Sequence, residues 1–392
     1  MKIYEIGTGY TPIPAQMGAA TEIVVEELTR SFMKMGEDVE IIDIAADSRA
    51  ENDLPISEVK VPSVFRKNDV SLGIVHKLKR VVYSVKLASK LKKILRKSNE
   101  KVVLHFHNQY NMYFFLLLSS KKLRKKALMA YTVHSYIWGT KWDEIESTVK
   151  KKYFQEVACV KKADLVLVLN DITTDHFVNH LSVDKKRIVK VINGVNTEKY
   201  SPLGRERIDE IKKSMHLEGK QIIFQVGSVC DRKNQLGSVR MLSDYLKENQ
   251  DVIYMYAGGI IDEEYKKSID TLAFEKEVSE QVVYAGELSP GNQLNEYYNI
   301  ADCSVFTSNL ESFGLVIIEA ISSGTPVVLS NNLMFDLSDG YSIYNTKDEF
   351  VALIDKILHG NKTDDFDSKE VLNKYNWDTV AKDYLNSFIS VI

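Results

Sequence analysis

The chain has 392 residues, of which 44% are hydrophobic, and a formal net charge of −3. This length exceeds what one ordinary hydrophobic core supports, so we expect two domains, and the composition excludes a disordered chain. The apolar run from Met112 to Leu118 is too short to span a membrane, and the first residues lack the long apolar stretch of a signal peptide. A cytoplasmic protein is therefore expected.

The charge is distributed unevenly along the chain. Residues 1–200 hold 33 Lys/Arg and 23 Asp/Glu, whereas the remainder holds 18 and 31. Much of the basic excess lies between Arg66 and Lys101, which contain 12 Lys/Arg against two acids. The three cysteines are scattered singly and without the spacing of a zinc site, so no metal site is predicted.

Short β-branched runs alternate with longer amphipathic segments in both halves, the pattern of parallel sheets covered by helices on both faces. In the first half the predicted strands are Lys2–Gly7, Val39–Ile44, Val102–Phe106, Leu128–Val133, Leu165–Leu169 and Ile188–Ile192. In the second half they are Ile222–Val226, Val252–Ala257, Val282–Tyr284, Cys303–Phe306 and Pro326–Leu329. The predicted fold class is α/β, with two doubly wound, Rossmann-like domains.

Turn-forming residues from Asn193 to Gly204 interrupt this alternation and predict the link between the domains. We place the first domain at residues 1–199 and the second at 200–375. Open α/β sheets bind ligands beyond the carboxyl ends of their strands, so two facing sheets would form a cleft between the domains.

Two glycine-containing loops in the first half are candidate phosphate sites. Gly7-Thr-Gly9-Tyr-Thr-Pro12 begins like a nicotinamide-binding fingerprint, but proline stands where the third glycine belongs, which argues against it. Gly18 opens the next helix and is expected to offer its N–H to a phosphate or a sugar. An ordinary flexible loop is the alternative for Gly18.

Three histidines follow predicted strands. His105 and His107 end one strand and His134 ends the next, so both strands bring histidines to the same edge of the sheet. We predict a functional role for His134 and place His107 and Asn108 on the side where an acceptor binds. Strand alternation places His105 deeper, as a packed core residue.

Residues 77–97 predict an amphipathic helix with one apolar and one lysine-rich stripe. The apolar stripe is Leu78, Val81, Val82, Val85, Ala88, Leu91 and Leu95, and the basic stripe is Lys79, Lys86, Lys90, Lys93 and Lys97. We expect the apolar stripe to pack on the domain, which leaves the lysines to attract an anionic membrane surface or to remain solvated. Nucleic acid is not an expected partner, because interleaved aromatic residues are lacking.

In the second half, the loop from Gly227 to Asn234 follows one strand and contains Arg232 and Lys233. Two adjacent cations at a strand's carboxyl end could neutralise a diphosphate, with a solvated basic turn as the alternative. Further on, Glu311-Ser-Phe-Gly-Leu-Val-Ile-Ile-Glu319 places two carboxylates at the start of a predicted helix, with Ser312 as its expected N-cap. The N–H groups of Phe313, Gly314 and Leu315 would face an anion there, and Glu319 would reach an attached ribose.

Taken together and in order, these segments resemble glycosyltransferase family 4, the retaining sugar-nucleotide enzymes of the GT-B fold. The resemblance covers almost the whole chain. Further matching segments are Val191-Ile-Asn-Gly-Val-Asn196, Tyr284-Ala-Gly-Glu287, Thr307-Ser308, Gly324-Thr-Pro-Val327 and Tyr375-Asn-Trp-Asp378. One departure is Ser228, which stands where the family commonly has arginine.

The resemblance implies a role for each matching residue. The donor diphosphate would contact Gly18, Arg232, Lys233, Phe313, Gly314 and Leu315. The donor's sugar and ribose would contact Glu311, Glu319 and Ser308, and its base would lie against Val283 and Tyr284. His134 and Glu311 would act at the reacting centre. The resemblance also implies that residues 376–392 form a helix that packs back on the first domain, and that no metal or cofactor is needed.

The implied reaction is transfer of a hexose or N-acetylhexosamine, with retention, from a nucleoside-diphosphate sugar, UDP-sugar being favoured. A surface polysaccharide or a lipid-linked glycan is the expected acceptor, and a peripheral position on the inner face of the cell membrane is the expected location.

Three other functions are alternatives to this one. A glycoside hydrolase would use the paired acids, but Glu319 lies inside an apolar helix behind the phosphate-binding segment. The others are a GT-B nucleotide-sugar epimerase, which needs no acceptor, and a non-catalytic partner subunit, for which Ser228 is the only indication.

Overall fold

The structure is a computed structural model that describes residues 1–15, 19–66, 74–331, 333, 340–360 and 373–392. The chain divides into two compact units, Met1–Asn193 with Trp377–Ile392, and Gly194–Asn376. The division falls at the start of the predicted linking segment, six residues before the predicted boundary at residue 199.

The first unit is built on a seven-stranded parallel sheet with the order β3-β2-β1-β4-β5-β6-β7. Its strands are β1 (Lys2–Ile6), β2 (Asp38–Ile44), β3 (Ile56–Val59), β4 (Val102–Phe106), β5 (Ala127–Thr132), β6 (Leu165–Val168) and β7 (Ile188–Lys190). Its helices are α1 (Ala20–Lys34), α2 (Ile74–Lys97), α3 (Gln109–Leu118), α4 (Lys121–Arg124), α5 (Trp142–Lys152), α6 (Phe154–Lys162) and α7 (Asp171–Asn179).

The second unit is built on a six-stranded parallel sheet with the order β10-β9-β8-β11-β12-β13. Its strands are β8 (Gln221–Val226), β9 (Val252–Ala257), β10 (Val282–Tyr284), β11 (Cys303–Phe306), β12 (Val327–Ser330) and β13 (Tyr341–Tyr344). Its helices are α8 (Arg205–Ser214), α9 (Gln235–Glu248), α10 (Glu263–Glu275), α11 (Asn292–Ile300), α12 (Leu315–Ser322) and α13 (Lys347–His359).

The central strands of both sheets are apolar because helices cover both faces of each sheet. Every residue of β4, β5 and β9 is buried, as expected for parallel strands inside an α/β domain. The predicted fold class, two doubly wound Rossmann-like domains, is confirmed. Sequence analysis missed β3 and β13, because these are four-residue edge strands with partly exposed side chains and lack a continuous apolar run.

The last helix, α14 (Trp377–Ile389), belongs to the first unit although 183 residues of the second unit precede it. It packs on α1, where the Ser31 hydroxyl donates to the Asp378 carboxylate at 2.7 Å. The ring centroids of Phe32 and Phe388 lie 6.2 Å apart. Tyr384 and Phe388 are fully buried, so the helix is part of the core of the first unit.

The structure corrects the face predicted for α2. Its buried side consists of Tyr83, Leu87, Ala88, Leu91 and Leu95, which are inaccessible to solvent. Leu78, Val81 and Val85, which we expected to pack inward, are instead 53%, 41% and 40% exposed. The reason is that a straight helix turns by 100° per residue, so the predicted stripe drifts from the buried side to the exposed side.

Two predicted surface lysines of this helix are engaged elsewhere. Lys79 is buried and donates to the Tyr10 carbonyl at 2.8 Å, and Lys90 donates to the Ser57 hydroxyl and the Glu58 carbonyl. Among the described residues, no helix combines the length and the apolar character that crossing a membrane requires.

Candidate functional site

Each sheet has one switch point, at which the strand order reverses: strands that come earlier in the chain extend to one side of it, and later strands extend to the other. It lies between β1 and β4 in the first unit and between β8 and β11 in the second. Open α/β sheets bind ligands beyond the carboxyl ends of the strands at such switch points. The predicted site residues of each unit are concentrated there.

In the second unit, the loop after β8 depends on glycine. Gly227 has φ +150° and lies against the Lys233 side chain, whose carbons would be 3.0–3.3 Å from an added Cβ. Gly258 has φ +138°, and a Cβ there would lie 2.2 Å from the Gly227 carbonyl oxygen. The two glycines allow the loops after β8 and β9 to approach each other, and they leave room for the Lys233 stem.

Hydrogen bonds join this loop to the one that follows β11. Asn234, in the left-handed region at φ 58°, donates from its side chain to the Thr307 carbonyl at 3.1 Å. The Thr307 hydroxyl donates back to the Asn234 carbonyl, also at 3.1 Å. Sequence analysis assigned no role to Asn234. Asparagine adopts the left-handed conformation more readily than most residues, but the sequence does not show that position 234 requires it.

Glu311 connects both predicted phosphate-binding cations. Lys233 Nζ donates to Glu311 Oε1 at 2.5 Å, and Arg232 donates to Oε2 at 3.1 Å. Burial would raise the pKa of Glu311, but the two cations outweigh it and hold the pKa below its usual value. These three residues, which we predict to contact different parts of a donor, are bound to one another in the structure.

The helix that follows begins later than predicted. α12 starts at Leu315, and its N-cap is Gly314, with φ 85° and ψ 62°. The expectation that Ser312 caps the helix is therefore wrong, because the chain needs a left-handed residue at position 314. The first N–H groups of a helix have no partner within the helix, so the segment from Gly314 to Leu315 has the local geometry of an anion site.

Glu319 and Ser308 lie deeper in this unit. Glu319 is 5% exposed and accepts a hydrogen bond from Tyr298 at 3.4 Å. Burial raises the pKa of Glu319 to about 7, so a ligand hydroxyl that donates to it would favour its ionised form. Ser308 is 2% exposed, and its hydrogen bond helps to lower the pKa of Glu311.

Val283 and Tyr284, predicted to contact the base, end the edge strand β10. The Tyr284 hydroxyl donates to the Gly258 carbonyl at 2.8 Å, and the ammonium group of Lys266 lies 5.4 Å from the ring centroid. The Tyr284 ring is therefore fixed at the same strand edge as the Gly227 loop. The Phe313 ring lies 6.0 Å from that of Tyr375.

In the first unit, the switch point holds a buried cluster centred on Glu5. One carboxylate oxygen of Glu5 lies 2.8 Å from His105 Nδ1, and the other lies 2.7 Å from His107 Nε2. His107 Nδ1 in turn lies 3.0 Å from His134 Nε2. His105 Nε2 lies 2.7 Å from the Thr132 hydroxyl. Glu5, His105 and His107 are 0–3% exposed, whereas His134 is only partly buried.

Electrostatics fix the charge state of this cluster. Burial would raise the pKa of Glu5, but its two histidine partners lower it to about 2. Burial lowers the pKa of His107 to about 4, and burial also lowers the pKa of His134 well below its usual value. At neutral pH the cluster therefore contains an ionised Glu5 and neutral rings at His107 and His134.

A second buried carboxylate holds the loop that carries His134. Glu156 accepts hydrogen bonds from the Tyr131 hydroxyl at 2.7 Å, the Ser135 hydroxyl at 2.9 Å and the Trp138 indole at 2.9 Å. Burial raises the pKa of Glu156. Residues on both sides of His134 are thus anchored to one side chain on α6.

The two residues predicted to lie on the acceptor side, His107 and Asn108, both have hydrogen-bond partners within the first unit. Both ring nitrogens of His107 lie within hydrogen-bond distance of other members of the cluster, Glu5 and His134. Asn108 caps α3 by accepting from the Tyr110 N–H, and it donates to the Tyr10 hydroxyl at 2.8 Å. Gly18 lies outside the described residues. Sequence analysis missed Glu5, although an acid in the apolar run Ile3-Tyr-Glu-Ile6 was a usable signal.

Within the described residues, Glu5, His105 and His107 place three possible metal-ligating atoms within 4.8 Å of one another. The carboxylate-to-ring distances of 2.7 and 2.8 Å are hydrogen-bond distances. The three side chains satisfy one another without an ion.

Two family models together match most of the chain. The family described as Glycosyltransferase Family 4 matches residues 21–199, and the family described as Glycosyl transferases group 1 matches residues 206–375. The first match contains β2 to β7 of the first sheet and begins after β1, and the second match contains all six strands of the second sheet.

Curated relatives match over different lengths. Spore coat protein SA of Bacillus subtilis is 21% identical, with 99% of each chain covered. An uncharacterized glycosyltransferase of Methanocaldococcus jannaschii is 28% identical over 51% of this chain and 53% of its own. Alpha-monoglucosyldiacylglycerol synthase of Streptococcus pneumoniae is 24% identical over 50% of this chain and 45% of its own. The chain thus spans about half the length of the last two.

Solved structures share the fold along the whole chain. Sucrose-phosphate synthase from Thermosynechococcus elongatus superposes with a TM-score of 0.75 at 18% identity, covering 100% of this chain and 98% of its own. HepE of Anabaena, in complex with UDP and glucose, gives 0.71 at 12% identity and covers 99% of each chain. These likenesses show the GT-B fold, and with the two family matches they lead to one conclusion. The chain belongs to the family 4-like glycosyltransferases of the GT-B fold, a family of transferase enzymes.

Proposed function

We propose that this protein is a retaining glycosyltransferase that moves a hexose or N-acetylhexosamine from a nucleoside-diphosphate sugar, UDP-sugar being favoured, to a surface-polysaccharide or lipid-linked acceptor. The observation that carries the proposal is the group formed by Lys233, Arg232 and Glu311 beside the N-terminus of α12. Two cations and a row of helix N–H groups at one switch point suit a diphosphate.

The ion pairs in this group suggest how a donor binds. The side chains of Lys233 and Glu311 are only 11% and 12% exposed, so their charges compensate each other in the absence of ligand. A diphosphate would take over the cations, and the freed Glu311 carboxylate would accept hydrogen bonds from sugar hydroxyls. Glu319 would accept from the ribose. Retention would follow from the donor phosphate oxygen receiving the acceptor's proton, and no metal is invoked.

Calorimetric titration with UDP, ADP, GDP and their sugars tests the donor assignment. We expect at least one pair to bind, and Lys233→Ala to weaken it by roughly tenfold to a hundredfold, because a charge-assisted hydrogen bond contributes about 1.5–3 kcal/mol. Lys247→Ala, which removes an exposed lysine paired with Glu277, is the matched control and should leave the affinity unchanged. If no nucleotide bound, or if both variants behaved alike, the donor site would be elsewhere.

The acceptor proposal draws on the exposed face of α2 and on the names of relatives. Besides the Streptococcus synthase, a processive diacylglycerol alpha-glucosyltransferase of Acholeplasma laidlawii is 24% identical over 48% of this chain. Both names describe glycosylation of a membrane lipid. We propose a lipid-linked acceptor reached from the membrane surface, with the protein peripheral on the inner face of the membrane.

The exposed face of α2 suits an anionic lipid surface. Val75, Leu78, Val81 and Val85 are 40–54% exposed. The exposed cations of the same helix are Lys77, Lys86, Lys93, Arg96 and Lys97. The helix contains no acidic residue. Apolar side chains that insert among lipids, flanked by lysines that attract phosphate head groups, are typical of interfacial helices.

Co-sedimentation with vesicles of phosphatidylcholine containing phosphatidylglycerol tests this assignment. Joint replacement of Lys86 and Lys93 by Gln should reduce binding, since each basic residue near such a surface contributes about 1 kcal/mol. Leu78→Ser with Val81→Ser should reduce it as well. The control replaces Lys185 and Lys186, two exposed lysines remote from α2 in sequence. Equal loss in both lysine pairs would indicate general charge attraction and contradict a docking face.

A further inference from the structure

The hydrogen bonds that link His134, His107 and Glu5 in the first unit all run in the same donor-to-acceptor direction. This direction determines whether His134 presents a donor or an acceptor to a ligand. Glu5 is ionised and has only acceptor oxygens, so the ring nitrogens facing it must carry hydrogen. The Nε2–H of His107 therefore donates to Glu5 at 2.7 Å. In a neutral imidazole only one nitrogen carries hydrogen, so His107 Nδ1 is an acceptor.

The same reasoning extends one ring further. His107 Nδ1 lies 3.0 Å from His134 Nε2, and an acceptor at one end of a hydrogen bond requires a donor at the other. His134 Nε2 therefore carries hydrogen, and its Nδ1 keeps a lone pair. That Nδ1 makes no hydrogen bond to the described part of the chain, and His134 is the partly exposed member of the cluster.

We infer that Glu5 and His107 are positioning residues that fix His134 as the Nε2–H tautomer, so that its Nδ1 accepts a hydrogen bond from a ligand hydroxyl. A neutral ring in this state offers no donor toward the ligand. It favours a hydroxyl, as on a sugar, and disfavours a phosphate oxygen or a carboxylate, which would need a donor. The tautomer follows from this chain alone, whereas the identity of the ligand as a sugar rests on the proposed function.

The rest of the cluster makes the arrangement rigid. His105 holds the second oxygen of Glu5, and the Tyr384 and Phe388 rings of α14 lie 5.6 and 5.2 Å from the His105 ring. The Glu5 carboxylate is thus fixed on both oxygens and cannot rotate away from His107. The His107 and His134 rings lie nearly parallel, with an interplanar angle of 22°. Helix α14, contributed by the far end of the chain, therefore supports the orientation of His134.

The tautomer can be measured directly in the free protein. Long-range proton–nitrogen correlation spectra of protein labelled with ¹⁵N in its 8 histidines distinguish Nδ1–H, Nε2–H and charged rings, and the absence of one signal in His134→Gln assigns the residue. We expect His134 to be Nε2–H at pH 7.5. An Nδ1–H or doubly protonated ring would overturn the inference without any reference to activity. A stoichiometric metal in the purified protein would overturn it as well, because a metal on Glu5 and His107 would replace the hydrogen bonds.

Glu5→Gln tests the relay. Its amide can donate to His107 Nε2, which would turn His107 into the Nδ1–H form and His134 into the same form. We expect the His134 tautomer to shift and kcat/KM to fall by roughly tenfold or more, in line with the loss of one well-placed hydrogen bond. Affinity for the free nucleoside diphosphate, which involves the second unit, should remain within about twofold.

Thr132→Val is the matched control. It removes the partner of His105 Nε2 in the same cluster, on the branch that does not lead to His134, so the His134 tautomer should stay Nε2–H. A shift in this control, or an unshifted tautomer in Glu5→Gln, would contradict the relay. If instead the tautomer were as expected and no sugar nucleotide bound, the proposed function would fail and the relay would stand.

Discussion

The two switch points of this protein occupy the same place in two similar sheets, yet their chemistry differs. In the first unit, two histidine side chains contact one fully buried carboxylate, that of Glu5. In the second, two cations share one carboxylate, with side-chain exposures of 11% for Lys233, 12% for Glu311 and 28% for Arg232. The first cluster is satisfied internally and fixes a geometry. The second holds compensated charges that an anionic ligand can redistribute.

Glu5→Ala should produce the largest effect. It leaves the N–H groups of His105 and His107 buried without an acceptor, and each such group costs about 1–3 kcal/mol. We expect the first unit to lose roughly 3–5 kcal/mol of unfolding free energy. All three tryptophans, Trp138, Trp142 and Trp377, lie in this unit, so urea titration followed by tryptophan fluorescence reports on it selectively.

The control for that variant is Glu40→Ala. Glu40 pairs with Lys2 at 3.1 Å, with side-chain exposures of 26% and 33%, and partly exposed pairs contribute about 1 kcal/mol or less. If both variants destabilised the unit equally, the cluster would contribute no more than a surface ion pair.

In the second unit, adding a methyl group at Gly258 should lower the free energy of unfolding. Gly258→Ala places a Cβ 2.2 Å from the Gly227 carbonyl oxygen, whereas Gly286→Ala, at φ 83°, meets no atom within 4 Å. The strained backbone alone costs roughly 1–2 kcal/mol in each, and the backbone collision should bring the Gly258 variant to about 3 kcal/mol or more. Hydrogen exchange of β8 and β9 amides measures the difference. Equal protection in the two variants would show that the loops after β8 and β9 need no close approach.

Lowering the pH should destabilise the first unit. The folded pKa of His107 is about 4 against the usual 6.5, with burial as the main cause. The unfolded chain therefore binds a proton below pH 6.5 that the folded chain does not, so this stability is present above pH 6.5 and is lost as pH falls toward 4. From pH 7.5 to 5 we expect His107 to contribute a loss of roughly 2 kcal/mol, since one pKa unit corresponds to 1.36 kcal/mol. His134, whose pKa is also lowered by burial, adds to the loss in the same direction. Unchanged tryptophan-detected stability over that range would mean that neither histidine has a lowered pKa in the folded protein.

Glu319 should show the opposite dependence in the second unit. Burial raises its pKa from 4.5 to about 7, so the folded chain holds the extra proton, and stability falls as pH rises from 4.5 to 7. Glu319→Gln removes the buried charge. At pH 8 we expect it to stabilise the second unit by about 1–2 kcal/mol, and at pH 5 by almost nothing, while binding of UDP and its sugars weakens. Hydrogen exchange of β11 and β12 amides at the two pH values provides the measurement. A gain of equal size at both would point to packing and not to charge.

Much of the fold could be predicted because parallel strands covered on both faces are continuous apolar runs. Residues 102–106, 252–257 and 303–306 carry this signal, and the strands observed there have the predicted bounds. The short edge strands β3 and β13 do not carry it. The predicted start of α12 was also wrong. Ser312 is of a residue type that often caps helices, but the helix begins after Gly314, whose backbone is left-handed.

The site could be predicted as a set of residues but not as a set of contacts. Lys233, Glu311, Glu319 and His134 are recognisable from motif order. Nothing local to residues 232–233 or 311 indicates that these side chains bind each other, because the contact depends on β8 and β11 being neighbours. Likewise, Leu78 was assigned to the packed face because periodicity does not reveal where a 24-residue helix meets its sheet.

The sequence by itself determined the family, the two-sheet architecture and the residue types available for chemistry, since these depend on periodicity and on ordered short motifs. Tertiary structure alone decided the chain of hydrogen bonds from Glu5 to His134, the sharing of Glu311 by Lys233 and Arg232, and which face of α2 is exposed. The physical reason is that hydrogen bonds and ion pairs act over about 3 Å. The partners in these clusters lie 27 to 102 residues apart along the chain, and only the pairing of strands brings them together.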